Sequence, residues 1–143
     1  MSQSKAHSPN TPSASEAAQT IAQGLQQAIA CHRAARWQEA AAIYEAVLVA
    51  APQHPDANHN FGLLCVQTGK VAAGLPYLLA AIDAEPTVSG YWLSYVEALL
   101  LDKQHDEARQ VFELARTHGL EGPAVEALAK KLSAPPTVSA TNA

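Results

Sequence analysis

A repeat of 34 residues constrains this chain more than any other feature of its sequence. Proline recurs at this interval as Pro52 and Pro86. Five further sets, at the same interval, keep small or large apolar residues: Ala28/Gly62/Val96, Cys31/Cys65/Leu99, Ala40/Gly74/Ala108, Tyr44/Leu78/Phe112 and Val47/Ala81/Ala115. Six sets in one register predict three copies of one structural unit, at about 21–54, 55–88 and 89–122.

Composition and periodicity predict two helices in each unit. Alanine contributes 30 of the 143 residues and leucine 15, and both are strong helix formers, so we expect an all-α fold and no β-sandwich or barrel. In the middle unit, apolar residues have helical spacing over 56–68 and 71–84, a Thr-Gly-Lys turn separates them, and Pro86 ends the second segment. Because one helical pair cannot bury its apolar faces alone, the pairs are expected to stack.

The two ends of the chain have a different character. Residues 1–14 are rich in Ser, Pro, Asn and Thr, so we expect a disordered polar tail. Residues 134–143 resemble them and are interpreted as a second tail or a linker. The folded part is predicted to span 15–133, with Ser15 as the first N-cap. Its last helix, 123–132, would cover the open end of the stack with Val125, Leu128 and Leu132.

Charge and hydropathy argue against two classes of partner, nucleic acids and membranes. The chain has nine Lys and Arg residues and thirteen Asp and Glu residues, which gives a net charge of −4. The basic residues are scattered, so neutralisation of nucleic-acid phosphates is not expected. The sequence has no secretory signal and no apolar run long enough to span a bilayer, which predicts a cytoplasmic protein that does not bind membranes.

The 34-residue period and its small-residue, large apolar and proline positions resemble the tetratricopeptide repeat (TPR) family. Trp92 occupies the family's characteristic aromatic position, where the other units have Gly24 and Asn58. The resemblance implies a right-handed α-solenoid of three helix-turn-helix units plus a C-terminal capping helix. Pro76 departs from the pattern because it lies inside a second helix, where its cost is small within the first two turns.

The resemblance also implies a function. In this family the first helices line a concave groove that takes extended or helical peptides, so we expect a non-enzymatic protein–protein interaction module with a protein or peptide partner. A narrower resemblance concerns residues 90–132, which are similar to the terminal repeats of bacterial arrays that precede glycosyltransferases related to O-linked GlcNAc transferases. The alternative function is therefore a substrate-recruiting arm of such an enzyme, without its catalytic domain.

Transferring the groove by register gives a set of candidate binding residues. They are Gln26, Arg33, Asp56, His59, Asn60, Tyr91, Ser94 and Glu97. Asn60 is the best candidate, because an amide can pair with a peptide N–H and C=O at once. Tyr91 is expected to be exposed near the groove edge, whereas Trp92 and Tyr95 are expected to pack inside the array. The lysines that would grip a C-terminal carboxylate are missing from these positions.

The chain shows no pattern that predicts catalysis, a cofactor or a metal site. Its six histidines are spread over different units without a His-x₃-His pair and are interpreted as surface residues. Cys31 and Cys65 occupy equivalent positions in stacked pairs, too far apart for a disulfide, and are expected to be small buried hydrophobes. Cys31 and His32 point in different directions on one helix and cannot form a dyad. We expect a monomer or weak self-association.

Overall fold

The computed structural model describes residues 11–134, which form seven α-helices and no strand in that range. The helices are α1 Ala14–Arg33, α2 Trp37–Ala50, α3 Pro55–Gln67, α4 Val71–Ala84, α5 Ser89–Leu101, α6 His105–Thr117 and α7 Pro123–Ser133. The all-α prediction is confirmed. The two predicted tails lie largely outside the described residues.

The first helix begins at a capping box, earlier than the sequence analysis predicted. The hydroxyl of Ser13 accepts a hydrogen bond from the Glu16 N–H at 3.1 Å, and the Glu16 carboxylate accepts one from the Ser13 N–H at 2.9 Å. The prediction of Ser15 as N-cap was wrong, because a capping box needs Glu or Gln three residues after the cap. Ser13 has Glu16 at that position, whereas Ser15 has Ala18.

The small-residue positions allow the two helices of each unit to approach closely. Ala28, Ala40, Val96 and Ala108 have no exposed surface. The middle unit is the tightest, because a Cβ atom added to Gly74 would lie 2.7 Å from the carbonyl oxygen of Gly62. The sequence-based prediction of close approach at these positions is confirmed.

The three turns inside the units share one backbone conformation. The residues at register positions 35, 69 and 103 all have positive φ, with values of 61° for Ala35, 84° for Gly69 and 63° for Lys103. In each case the N–H of the next residue donates to a carbonyl five residues before it, for example Lys70 to Cys65 at 2.8 Å. This is the Schellman arrangement, which satisfies carbonyls that the helix end leaves unpaired.

Trp92 and Asn58 serve the same purpose at equivalent positions. The indole N–H of Trp92 donates to the carbonyl of Pro86 at 2.7 Å. The side-chain amide of Asn58 donates to the equivalent carbonyl, that of Pro52, at 3.0 Å and is itself buried. A small amide therefore replaces the family's aromatic residue, while the hydrogen bond to the preceding loop is kept.

The stacking of the units curves toward the first helices. The first helices α1, α3 and α5 contact one another in sequence, whereas the second helices α2, α4 and α6 contact no other second helix. The first helices therefore lie on the inner, concave side. Helix α7 packs on α5 and α6 with Val125, Leu128 and Leu132 buried, as predicted for a cap. Pro76 is the sixth residue of α4, within its first two turns.

Candidate functional site

The concave face of α1, α3 and α5, called here the first-helix surface, carries the candidate binding residues. Helix α1 contributes Gln26 and Arg33, and both are exposed. Helices α3 and α5 contribute the other six: Asp56, His59, Asn60, Tyr91, Ser94 and Glu97. Seven of the eight are exposed or half-buried, whereas Tyr91 is buried.

A row of polar side chains crosses this surface in one register. Gln26, Asn60 and Ser94 occupy equivalent positions in the three units, and the half-buried apolar residues Ile29 and Leu63 lie one helical turn further along α1 and α3. The Nδ2 atom of Asn60 donates to the Asp56 carbonyl at 2.8 Å. Within the described residues, the Asn60 Oδ1 accepts no hydrogen bond, so this oxygen remains available to a ligand.

Tyr91 is buried, which corrects the prediction that it is exposed near the groove edge. Its side chain retains 5% of its exposure and its hydroxyl donates to the Asp56 carboxylate at 2.5 Å. Its ring stands against the His59 ring, with 4.8 Å between the centroids. Tyr91 therefore positions Asp56 and His59, and its ring is not displayed to a ligand.

His59 links two units and is more buried than the surface role predicted for it. Its Nε2 atom lies 2.8 Å from the Oγ of Ser94 on the next first helix. Burial lowers the pKa of His59 below its ordinary value of 6.5, and the nearby Asp56 carboxylate partly opposes this effect. The imidazole is thereby held in its neutral form, in which one ring nitrogen donates and the other accepts.

Three side-chain bridges between neighbouring first helices share a separation of 35 residues. They join Asp56 to Tyr91, His59 to Ser94 and His32 to Gln67, the last at 2.7 Å. Residues at intervals of 34 share a row in the sequence register, so these partners fall in different rows. His32 was interpreted as a surface residue and Gln67 was not selected. Complementary polar pairs at 35-residue spacing were the signal that could have found them.

His32 also ties the second helix of its own unit to this network. Its Nδ1 atom lies 2.9 Å from the hydroxyl of Tyr44, which is fully buried. Burial raises the pKa of Tyr44 to about 12, and the positive charge of Arg33 opposes the rise. The Tyr44 hydroxyl therefore stays protonated at neutral pH. The two hydrogen bonds that His32 makes, to Tyr44 and to Gln67, fix the end of α1 against α3.

The charges of the first-helix surface are few and of both signs. Glu97 lies 3.8 Å from the Nζ of Lys131 on the capping helix, and both side chains are more than half exposed. Such an exposed pair adds little to stability, so Glu97 remains able to meet a ligand. Arg33 is exposed at the far end of α1, and Asp56 is exposed in the first turn of α3.

The described residues offer no metal-binding cluster and no reactive thiol. Between residues 11 and 134, no three His, Cys, Asp or Glu side chains are grouped so as to hold a metal ion. In the same range, no helix has the length and apolar character needed to cross a membrane. Cys31 and Cys65 are both free and buried, as predicted. Burial raises the pKa of the Cys65 thiol, which disfavours the reactive thiolate.

Comparison with known proteins identifies the fold family. Residues 59–119 match the family model described as tetratricopeptide repeat. This segment carries tetratricopeptide repeats. The matched TPR segment runs from α3 to just beyond α6, and the helical pair α1–α2 repeats its register and turn conformation. No curated protein sequence matches the chain.

Solved TPR structures share this fold at low sequence identity. The first TPR domain of Spaghetti (RPAP3), bound to the HSP90 peptide SRMEEVD, has a TM-score of 0.73 at 15% identity, covering 80% of this chain and 91% of that one. The chaperone SycD of Yersinia enterocolitica, in complex with a peptide of the translocator YopD, has a TM-score of 0.68 at 16% identity, covering 80% and 88%. The Sgt2 TPR domain of Aspergillus fumigatus has 0.69 at 16%, covering 87% and 90%.

Proposed function

We propose that this TPR chain is a non-enzymatic interaction module that binds a peptide, or an extended segment of a partner protein, on the first-helix surface. The observation that carries the proposal is the polar row of Gln26, Asn60 and Ser94 beside the apolar Ile29 and Leu63. The peptide complexes of Spaghetti and SycD, which have the same fold, support it.

The chemistry of the row suits the main chain of a peptide. An amide side chain both donates and accepts, so Gln26 and Asn60 can each pair with an N–H and a C=O of an extended ligand. Ser94 shares its hydroxyl with His59 and is already oriented by it. Successive side chains of an extended peptide point to opposite sides, so alternate ones would meet Ile29 and Leu63.

The surface is built before any ligand arrives. The three bridges at 35-residue spacing hold neighbouring first helices in register, and the close packing of each pair fixes the helices beneath them. A preformed surface loses little conformational entropy on binding, so more of the contact energy is expressed as affinity.

The charges favour an internal peptide segment over a C-terminal carboxylate. Arg33 is the one cation among the eight candidate residues, and it stands at one end of the surface. Asp56 and Glu97 are acidic, so they would repel a terminal carboxylate placed near the middle or far end. A segment that brings its own basic side chain toward Asp56 or Glu97 fits this distribution.

Peptide selection with matched variants tests the proposal. Peptides selected from a displayed library on the full chain would be measured by fluorescence anisotropy, and the double substitution Gln26→Ala and Asn60→Ala should weaken binding at least tenfold, or about 1.4 kcal/mol. The control Gln110→Ala removes an exposed amide from α6 and should leave affinity unchanged. Equal affinity of the Gln26→Ala/Asn60→Ala double variant and the wild type would reject the first-helix surface as the binding site.

The second hypothesis, a substrate-recruiting arm of a glycosyltransferase, rests on the sequence resemblance of residues 90–132 and stays a prediction. A recruiting arm would use the same first-helix surface, so the Gln26→Ala/Asn60→Ala double variant should weaken substrate binding as well. An added test is whether the full chain binds a separately supplied transferase domain. Absence of that binding, with peptide binding retained, would leave the stand-alone module.

A further inference from the structure

The outer face of α4 differs from the same face of the other two second helices. At three register positions, both neighbouring units have an acidic or amide side chain and the middle unit has an apolar one. These positions are Gln38/Ala72/Asp106, Glu39/Ala73/Glu107 and Glu45/Leu79/Glu113. Because the three helices occupy equivalent places in one solenoid, general demands of the fold do not explain the loss of polarity in α4.

The face is exposed and carries no charge over most of its length. Ala72, Ala73, Pro76 and Leu79 are all exposed, and 41% of Leu79 is accessible to solvent. No charged residue lies between Lys70, which precedes the helix, and Asp83 in its last turn. An exposed apolar face of this kind is typical of a surface that another molecule covers.

The charges at the two ends of α4 are reversed relative to the usual arrangement in a helix. The helix has no acidic residue in its first turn and no side-chain cap, and Lys70 adds positive charge at that end. Asp83 places negative charge at the C-terminal end, where the helix dipole is already negative. Helix α6 has the opposite and usual arrangement, with Asp106 and Glu107 in the first turn and Arg116 in the last.

From this distribution we propose that α4 pairs with α4 of a second copy of the chain, in antiparallel orientation, around a two-fold axis at Pro76. A two-fold axis makes the same patch face itself, so a residue n positions after Pro76 meets the one n positions before it. Leu79 of one copy then covers Ala73 of the other, and Asp83 meets the turn Gly69–Lys70. Asp83 of one copy then lies beside the uncapped N-terminus of α4 and the Lys70 side chain of the other copy.

The pairing is weak, and it leaves the groove open. Helix α4 has 14 residues and is therefore roughly 21 Å long. A single helix pair of this length offers only a small interface, and interfaces that bury less than roughly 1,200 Å² are weak and transient. Each copy also carries a net charge of −4, which opposes association. Because α4 is a second helix, the first-helix surfaces of both copies remain uncovered, and the inference goes beyond the proposed function.

Sedimentation equilibrium of the full chain, from micromolar to millimolar concentration, tests the pairing. The wild type should show a reversible monomer–dimer equilibrium, and Leu79→Glu should raise the dissociation constant at least about tenfold. This variant is expected to fold, because the equivalent positions hold Glu45 and Glu113. The matched control Leu114→Glu changes a leucine that is 51% exposed on α6 and should leave the dissociation constant unchanged.

Exchange of the end charges tests the antiparallel register. Lys70→Glu and Asp83→Lys should each weaken the dimer, because each places like charges together, and the double variant should restore it. A wild type that stays monomeric at every concentration would overturn the proposal. So would equal weakening by Leu114→Glu, or a double variant no stronger than the single ones.

Discussion

At the scale of single residues, equivalent positions in the three units meet different packing demands. The position 40/74/108 is small throughout, yet alanine fits in the first and third units and only glycine fits in the middle one. The repeat register predicted a small residue there. It could not predict the separation between α3 and α4, which depends on Gly62, Leu78 and the side chains around them.

We expect Gly74→Ala to destabilise the chain by about 1–3 kcal/mol, despite the higher helix propensity of alanine. The added Cβ would lie 2.7 Å from the Gly62 carbonyl oxygen, so α3 and α4 must separate. The control Gly90→Ala adds a Cβ with nothing within 4 Å in α5 and should not destabilise. Urea denaturation measures both, and equal stability of the two variants would show that the helices adjust freely.

Lys103 holds a left-handed conformation that glycine adopts at lower cost. Lys103→Gly should stabilise the chain by about 0.5–1 kcal/mol, since the strain at φ 63° is removed. Gly69 occupies the equivalent position in the turn of the middle unit, and Gly69→Ala should lower the free energy of unfolding by about 1 kcal/mol. Both free energies come from chemical denaturation at one temperature. A stabilising Gly69→Ala would contradict the strain argument.

At the scale of helices, the seams between units depend on side-chain bridges as well as on apolar packing. The sequence predicted the helices α1 to α7 and most of their buried residues, because apolar spacing encodes them locally. It did not predict which polar residues meet across a seam, because this depends on the offset of one unit relative to the next. The observed offset of 35 brought Asp56 to Tyr91 and buried a tyrosine that was expected at the surface.

The seam between α3 and α5 should weaken in acid because of His59. Its pKa is lowered from 6.5 in the folded chain, mainly by burial, so the unfolded chain binds more protons as the pH falls. Stability is therefore full above pH 6.5 and is lost as the pH falls toward the folded pKa. His59→Asn, which keeps an amide for Ser94, should show a smaller loss between pH 7 and pH 5.

Urea denaturation of the wild type and of His59→Asn at the two pH values measures this difference. Ser94→Ala serves as control, because it removes the hydroxyl partner of His59 and should lower stability at both pH values. An identical pH dependence of wild type and His59→Asn would show that another group is responsible.

At the scale of the whole molecule, the solenoid separates two surfaces. The first helices present a row of amide and hydroxyl side chains on the concave side, and the second helices present the uncharged face of α4 on the other. The sequence predicted the concave surface through the family resemblance. The change from polar to apolar residues in α4 is also visible in the sequence, but only the structure shows that this face is exposed.

The most direct test of the account is to map a selected peptide onto the chain by amide NMR. We predict that the largest chemical-shift changes on peptide addition fall on α1, α3 and α5, centred on Gln26, Asn60 and Ser94, with the outer faces of α2, α4 and α6 unchanged. Changes concentrated on the second helices, with the first-helix surface unaffected, would contradict the central claim that the chain binds its partner in the concave groove.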